Sequence, residues 1–490
     1  MERGTRAFMC KSASEGGHLA TMTDSAIKFI NRVLQIRHVQ AQYHLLKWSA
    51  CTLLLHLGRL VPPHSLSAYA MQFQDAIEAA AKSLLAIKSL TYLQSRMIQL
   101  PTRHSGLGLN GPLDTMHQAF IGSAGSVARF YDVTGWYDRR RLKRLLSQSP
   151  LIISAASFVN DELRKSRRGS KKLLNISAPT LWPTQNSLSS IIHFQRANDL
   201  EEQITKTDPL LASWFASGRQ KGGSSWLSAI PSLPCFRVSS QVFQVMLCNK
   251  ILAPVPGTDR LVRCICGEAY KPLLENGVHF FSSCVPCSQV SARHNHLLPI
   301  VHRALREIDR TVTEGETANW FSGSRHLRPY DKVSAEPPDE EAGLSELIGY
   351  DVGVADPTRL GRLAAGVPYF QSGDASRRMQ SRKDRKYRGN LSRFGPLTHQ
   401  VKYVPIIFEI TGSMGPNMRD QFSKWCKEAS GLVRKSGGRN YRAQNMPHTW
   451  NALKFSNLYS QMFSFSIVRD TAMTVIRAVE MAAAAVNTQN

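Results

Sequence analysis

Cys264, Cys266, His279 and Cys284 form the pattern C-x-C-x12-H-x4-C. Four thiolate and imidazole donors suit tetrahedral zinc. The close cysteine pair would supply two ligands from one turn, and Gly267 directly after it suits a tight turn. His279 and Cys284, about one helical turn apart, would supply the rest. Cys287 competes with Cys284, and His294 competes less well with His279. The alternatives are a disulfide, or buried thiols that never meet a metal. Nine cysteines, an odd number unevenly spread along the chain, argue against a disulfide framework. The clustering favours a structural zinc.

A second set of residues suits phosphodiester chemistry. Asp331, Asp351 and Glu409 lie on or beside stretches that read as short strands, and 376–388 is strongly basic. A nuclease needs carboxylates to hold Mg²⁺ or Mn²⁺ and a cation near the reacting phosphate. Asp331, Asp351 and Lys386 could provide that set. The plainer reading is that such aspartates form turns and that a basic helix is a solvated face.

The elements that must position these residues follow from periodicity. Strands are expected at 328–334, 348–356 and 404–411. In the second, Val352 and Val354 share one face, and Asp351, Gly353 and Ala355 the other. Helices are expected from Asp24 towards Leu60, over Ala68–Ser89, Asn295–Asp309 and Trp450–Ala485. Leu100–Pro112 reads as a glycine-rich loop, and 218–225 and 253–259 as linkers. This divides the chain into a disordered leader at 1–22, a helical region at 23–130, a basic helical connector at 131–257, the cysteine cluster at 258–298 and a final domain at 299–490.

The chain has 490 residues and a formal net charge of +25. Such a charge calls for a polyanion, with nucleic acid ahead of an anionic membrane. Basic runs at 139–144 (including Arg139, Arg140 and Arg141) and 164–172 (including Arg167 and Arg168) are expected to contact it. The most apolar early run, CTLLLHLG, is too short to span a bilayer, and the first residues lack a secretory apolar core.

The order of motifs carries a resemblance. LP-x4-GLGL is followed by C-x-C…H-x4-C and then by RHN at Arg293–Asn295. RPYD, DVGVADP, K-x-x-KY at Lys383–Tyr387 and FEITG at Phe408–Gly412 come after. This order resembles the C-terminal half of non-LTR retrotransposon proteins with a restriction-enzyme-like endonuclease, loosely over 24–125 and more closely over 260–415. The resemblance implies a helical reverse-transcriptase thumb, a CCHC zinc knuckle and a PD-(D/E)XK-type mixed sheet flanked by helices. It implies Cys264, Cys266, His279 and Cys284 as zinc ligands and Asp331 and Asp351 as ligands of a catalytic Mg or Mn. Lys386, or else Lys383, would be a lysine displaced onto a helix. Glu409 would support the site, and Arg293 and His294 would contact DNA or brace the fold. A DNA target, the element's RNA and a nuclear location are implied as well.

Three departures qualify it. Tyr330 is inserted in RPYD, and Asp331 and Asp351 stand 20 positions apart. There is no Asp-Asp dipeptide for a polymerase palm, so no reverse transcriptase activity is expected, and the chain reads as a thumb-to-terminus fragment. The expectations are therefore a DNA-nicking module or, alternatively, a catalytically inactive zinc-containing remnant that binds nucleic acid.

Overall fold

A computed structural model describes residues 12–135, 138–165, 173–261, 263–269, 271–282, 284, 286–287, 289–308, 311–314, 331–335, 347–358, 373–391, 401–435 and 455–487. The chain divides into two compact units: 1–203 with 239–244, and 204–238 with 245–490. Helix dominates the described residues, and they contain one small sheet.

The first unit is helical. Its helices are α1 (Ser12–Leu34), α2 (Val39–Trp48), α3 (Leu57–Leu60), α4 (Pro63–Leu85), α5 (Tyr92–Gln99), α6 (Met116–Thr134), α7 (Arg139–Gln148), α8 (Pro150–Arg164) and the start of α9 (Gln185–Thr207). The disordered leader expected at 1–22 is corrected over 12–22, where α1 already runs, and 1–11 lie outside the described residues. Leu19, Thr23, Ala26, Ile30 and Val33 recur at helical spacing and are all buried, so this early segment has a core to fold against. On α4, Phe73, Ile77, Ala80 and Leu84 are buried as their spacing predicts. A second cluster joins Ile121, Ile152, Val159, Leu163, Trp182 and Leu188.

The second unit contains α10 (Pro209–Gly218), α11 (Ser240–Lys250, which starts in the first unit), α12 (Lys271–Glu275), α13 (Val278–Ser282), α14 (Val290–Arg306), α15 (Asp374–Leu391), α16 (Pro416–Lys435) and α17 (Phe455–Asn487). Its strands are β1 (Thr311–Glu314), β2 (Lys332–Ala335), β3 (Leu347–Ala355) and β4 (Val401–Glu409), in that spatial order. β1–β2 and β2–β3 are antiparallel, and β3–β4 is parallel. A parallel pair needs a long crossover, and α15 lies between β3 and β4 in the chain. The expected strand at 328–334 starts later, at Lys332, and 328–330 lie outside the described residues. β1 carries no alternation of apolar residues and was not foreseen.

Two stretches expected as linkers are packed into this unit. In 218–225, Gly218, Gln220, Gly222 and Gly223 are buried, and Lys221 accepts the Met414 N–H at 2.9 Å. In 253–259, Val255 donates its N–H to the Glu275 carbonyl at 2.8 Å. Their glycines and prolines serve turns against neighbouring chain, not separation of domains. No helix among the described residues is long and apolar enough to cross a membrane.

Candidate metal and carboxylate sites

The four residues of the first motif come together. Their donor atoms lie within 4.8 Å of one another. Cys264 Sγ and Cys284 Sγ are 3.5 Å apart, and Cys266 Sγ is 3.1 Å from His279 Nε2. Zn–S bonds of 2.3 Å in a tetrahedron place sulfurs about 3.8 Å apart, so the cage has the right size. Gly267, with φ of +96°, closes the turn after Cys266 and donates its N–H to the Cys264 carbonyl at 2.8 Å. α13 carries His279, and Cys284 N–H reaches back to the His279 carbonyl at 3.1 Å. Burial pushes the Cys264 and Cys284 thiols up to about 12, as expected of protonated thiols shielded from water. The set could hold a metal ion and fits a structural zinc. Cys287 is also buried beside it but is outside the group of four.

Arg293 is 2% exposed, which leaves it no part in contacting DNA. Its guanidinium donates to the Phe281 carbonyl on α13 and, at 3.4 Å, to Thr471 Oγ1 on α17. It therefore ties the cysteine cluster to two long helices, the bracing alternative expected for it. Arg293→Ala is expected to lower stability by about 2–4 kcal/mol by thermal or denaturant melting, because it strips a buried carbonyl of its donor and leaves a cavity. Its effect on the salt dependence of nucleic-acid binding should be negligible.

The second site forms around one residue, Val352. Asp331 lies immediately before β2, where its N–H bonds the Tyr350 carbonyl at 2.8 Å. Its Oδ2 accepts the Val352 N–H at 2.7 Å. At the same residue, Lys383 Nζ donates to the Val352 carbonyl at 2.9 Å. Lys383 also pairs with Asp351 Oδ1. Asp331, Asp351 and Lys383 therefore meet at the middle of β3, despite the inserted Tyr330.

Strand alternation sorts the two faces. Tyr350 and Val352 are buried on one face, where the Tyr350 ring stands edge-on to Trp425 of α16 at 5.7 Å. Asp351 and Gly353 face α15. A Cβ placed on Gly353 would come within 3.0 Å of Met379 Sδ and 3.1 Å of Lys383 Cε. The missing side chain at 353 is what lets the lysine stem cross the strand to Asp351.

Lys386, the lysine placed first by sequence, is corrected. It is exposed on α15, with Nζ 4.8 Å from the centre of the Tyr387 ring. Lys383, three residues earlier, lies almost a full helical turn away and faces the sheet. Glu409 lies outside the cluster itself. It pairs with Ala355 in register, four residues beyond the partner of Asp351, or about 13 Å along the strand. It is 1% exposed. Its carboxylate accepts Ser376 N–H at 3.0 Å, Gln220 Nε2 at 3.2 Å and the Ser217 hydroxyl at 2.5 Å. It thus caps the first turn of α15 and holds the helix that carries Lys383.

Two residues join the site in roles not assigned to them. Tyr403 donates its hydroxyl to Asp351 Oδ2 at 2.8 Å. In the parallel register it lies two residues before Pro405, the partner of Asp351, so the two-residue period puts both side chains on one face. That period would have found it. His294, expected to touch DNA or brace the fold, bonds Asp331 Oδ2 through Nε2 at 3.1 Å. This bond raises the imidazole above its usual value. Burial raises Asp351 above the usual carboxylate range, while Lys383 and Tyr403 pull the other way. Burial and the Asp351 charge hold the Tyr403 phenol well above its usual range, so it stays a donor.

Of the remaining expected contacts, Arg140 and Arg141 are exposed on α7, and Arg139 starts that helix. Arg167 and Arg168 lie outside the described residues. Comparison with known protein families finds no model that matches the chain, and comparison with curated proteins finds no match.

Proposed function

We propose that this chain is a metal-dependent DNA endonuclease of the restriction-enzyme-like kind found in non-LTR retrotransposon proteins. What carries the reading is the meeting of Asp331, Asp351 and Lys383 around Val352, on the central strand β3, which pairs antiparallel with β2 and parallel with β4. Two carboxylates and a lysine drawn from two strands and a helix are the minimum a PD-(D/E)XK-type site requires. A displaced lysine is what the family resemblance implies.

The residues fit a hard divalent cation. Lys383 offsets one of the two carboxylate charges, and Asp331 Oδ1 takes no hydrogen bond among the described residues. Mg²⁺ and Mn²⁺ prefer such oxygen donors. When bound, the ion would lower the pKa of a water and offset charge on the phosphate. Tyr403 holds Asp351 in place through one oxygen, and Val352 N–H and His294 hold Asp331. Lys383 stands beside Asp351, where its ammonium can stabilise charge gathering on the phosphoryl oxygens. In the reaction, water oxygen adds to phosphorus and loses a proton to solvent. The P–O3′ bond breaks, and the departing 3′-oxygen gains a proton. The 3′-hydroxyl so freed is the end that primes synthesis in the family resembled.

The DNA would lie along basic surface. Arg382, Arg385 and Lys386 are exposed on α15, within a turn of Lys383. Binding of duplex DNA to the full chain should therefore be strongly salt-dependent. With about six phosphate contacts, affinity should fall about 10³-fold between 50 and 200 mM salt. A flat response in a fluorescence-anisotropy titration would argue against a nucleic-acid partner.

The test of catalysis is nicking of supercoiled plasmid with Mg²⁺ or Mn²⁺, comparing the chain with Asp351→Ala. Nicking absent from both, with salt-dependent binding retained, would leave the inactive nucleic-acid-binding remnant as the better account.

A further inference from the structure

Two open cavities of similar size lie among the described residues of the first unit, and their charge differs. One, of about 540 Å³, is lined by Asp114, Glu162 and Asp199 as well as Arg96, Lys165 and Arg196, so its charges largely cancel. The other, of about 600 Å³, has no carboxylate in its lining, and its one charged residue is Arg59. Its floor is the first turn of α9, with Gln185, Asn186 and Ser189 facing in. α9 runs for 23 residues.

A helix leaves its first N–H groups without intrahelical acceptors and concentrates positive potential there. At α9, the Thr184 hydroxyl accepts Ser187 N–H at 3.4 Å, its one hydrogen bond among the described residues. The second observation is Ser189. Ser189 is 9% exposed and lines the cavity, and its Oγ has no hydrogen-bond partner among the described residues. A buried hydroxyl without a partner is costly, and hydroxyls so placed generally await an acceptor or a water. Gly122 keeps the place open. A Cβ there would come within 2.6 Å of Gln185 N, so the bare backbone is what allows α6 to pass against the start of α9. Arg59 donates Nε to Gln185 Oε1 at 2.9 Å, which holds its guanidinium at the rim.

We infer that this cavity is a phosphate site for a nucleic-acid strand, separate from the carboxylate site of the second unit. The phosphate would take hydrogen bonds from Asn186 N–H and Ser189 Oγ and charge from Arg59. A strand is favoured over a free phosphate by the chain's net charge of +25 and by the exposed Arg140, Arg141, Lys143 and Arg144 on α7 of the same unit.

The test measures anisotropy of a fluorescein-labelled single-stranded oligonucleotide with the full chain and no added Mg²⁺, so it does not depend on nuclease activity. Asn186→Asp puts a carboxylate in the first turn of α9, which favours the helix but repels phosphate. It should weaken binding at least about tenfold at low salt. Arg59→Ala should reduce the slope of log K against log salt by about one. Ser189→Ala should weaken binding about threefold or more while leaving the melting temperature unchanged or higher, since it removes an unpaired buried hydroxyl. A merely structural serine would do the reverse. All three variants within twofold of wild type would overturn the site. If inorganic phosphate or a mononucleotide raises the melting temperature of wild type but not of Asn186→Asp, with oligonucleotide affinity unchanged, the strand assignment fails in favour of a small phosphate ligand. Should Asn186→Asp not fold, Ser189→Ala decides alone.

Discussion

Asp351→Asn should reduce plasmid nicking by at least about 10²-fold, the scale seen when a preorganised charge-stabilising group is lost. Asparagine keeps the shape and can still accept the Tyr403 hydroxyl, so the fold and DNA binding should survive. Lys383→Ala should be as damaging to nicking and should also cost stability. It leaves the buried Asp351 without its cation, a change worth about 3–5 kcal/mol in buried pairs, less here because Lys383 is partly exposed. Lys383→Met, which keeps the stem beside Gly353, separates the two effects. Lys386→Ala is the control, because its side chain lies over Tyr387 and away from Asp351. It should lower DNA affinity modestly and leave nicking at saturating DNA within a few-fold. Equal loss from Lys386→Ala and Lys383→Ala would refute the assignment of the lysine. The pH dependence has a definite sign. Asp351 must be ionised to hold a cation, and burial has raised its value. Lowering the pH should therefore extinguish nicking at a higher pH than an exposed aspartate would set. The same raised value means the metal-free fold loses some stability as pH rises through it, and Mg²⁺ should restore that stability only on the alkaline side.

The largest stability effect is expected at the cysteine cluster. The purified chain should carry about one zinc, measured by elemental analysis. Residues 263–287 offer two five-residue helices and short turns, whose donor groups a metal would tie together. Structural zinc contributes about 10–16 kcal/mol of apparent binding energy in small modules near neutral pH. Cys284→Ser should therefore lose the metal, and hydrogen exchange in α12 and α13 should become fast. Cys287→Ser should keep the zinc, because Cys287 lies outside the group of four donors. The thiols sit near 12 when protonated, so metal binding must release protons, and zinc should be lost progressively as pH falls. Retention of protected amides at 263–287 in EDTA, with no zinc bound, would falsify a structural metal.

Much of this was legible from spacing. The four-residue metal motif needs only short-range chain geometry, a turn and one turn of helix, and local sequence encodes both. The parts of α4, β3 and β4 that pack on the core show their period directly, because one face of each is buried. The division of Asp351 and Val352 between two faces of β3 follows from that same period. The sequence could not choose between Lys383 and Lys386. They share a basic helix, and only the docking angle of α15 on β3 decides which one enters the sheet and which stays in water. Nor could spacing assign Glu409, because the parallel register of β3 and β4 is set by packing across a crossover, and that register carries Glu409 past the site to cap α15. Arg293 lies in a motif that reads as nucleic-acid contact until three helices close around it. Tertiary packing also decided where Asp331 lies. The antiparallel pairing of β2 with β3 brings its carboxylate to Val352 N–H, whatever the number of residues between the two strands, because hydrogen-bond register rather than sequence separation determines which side chains meet.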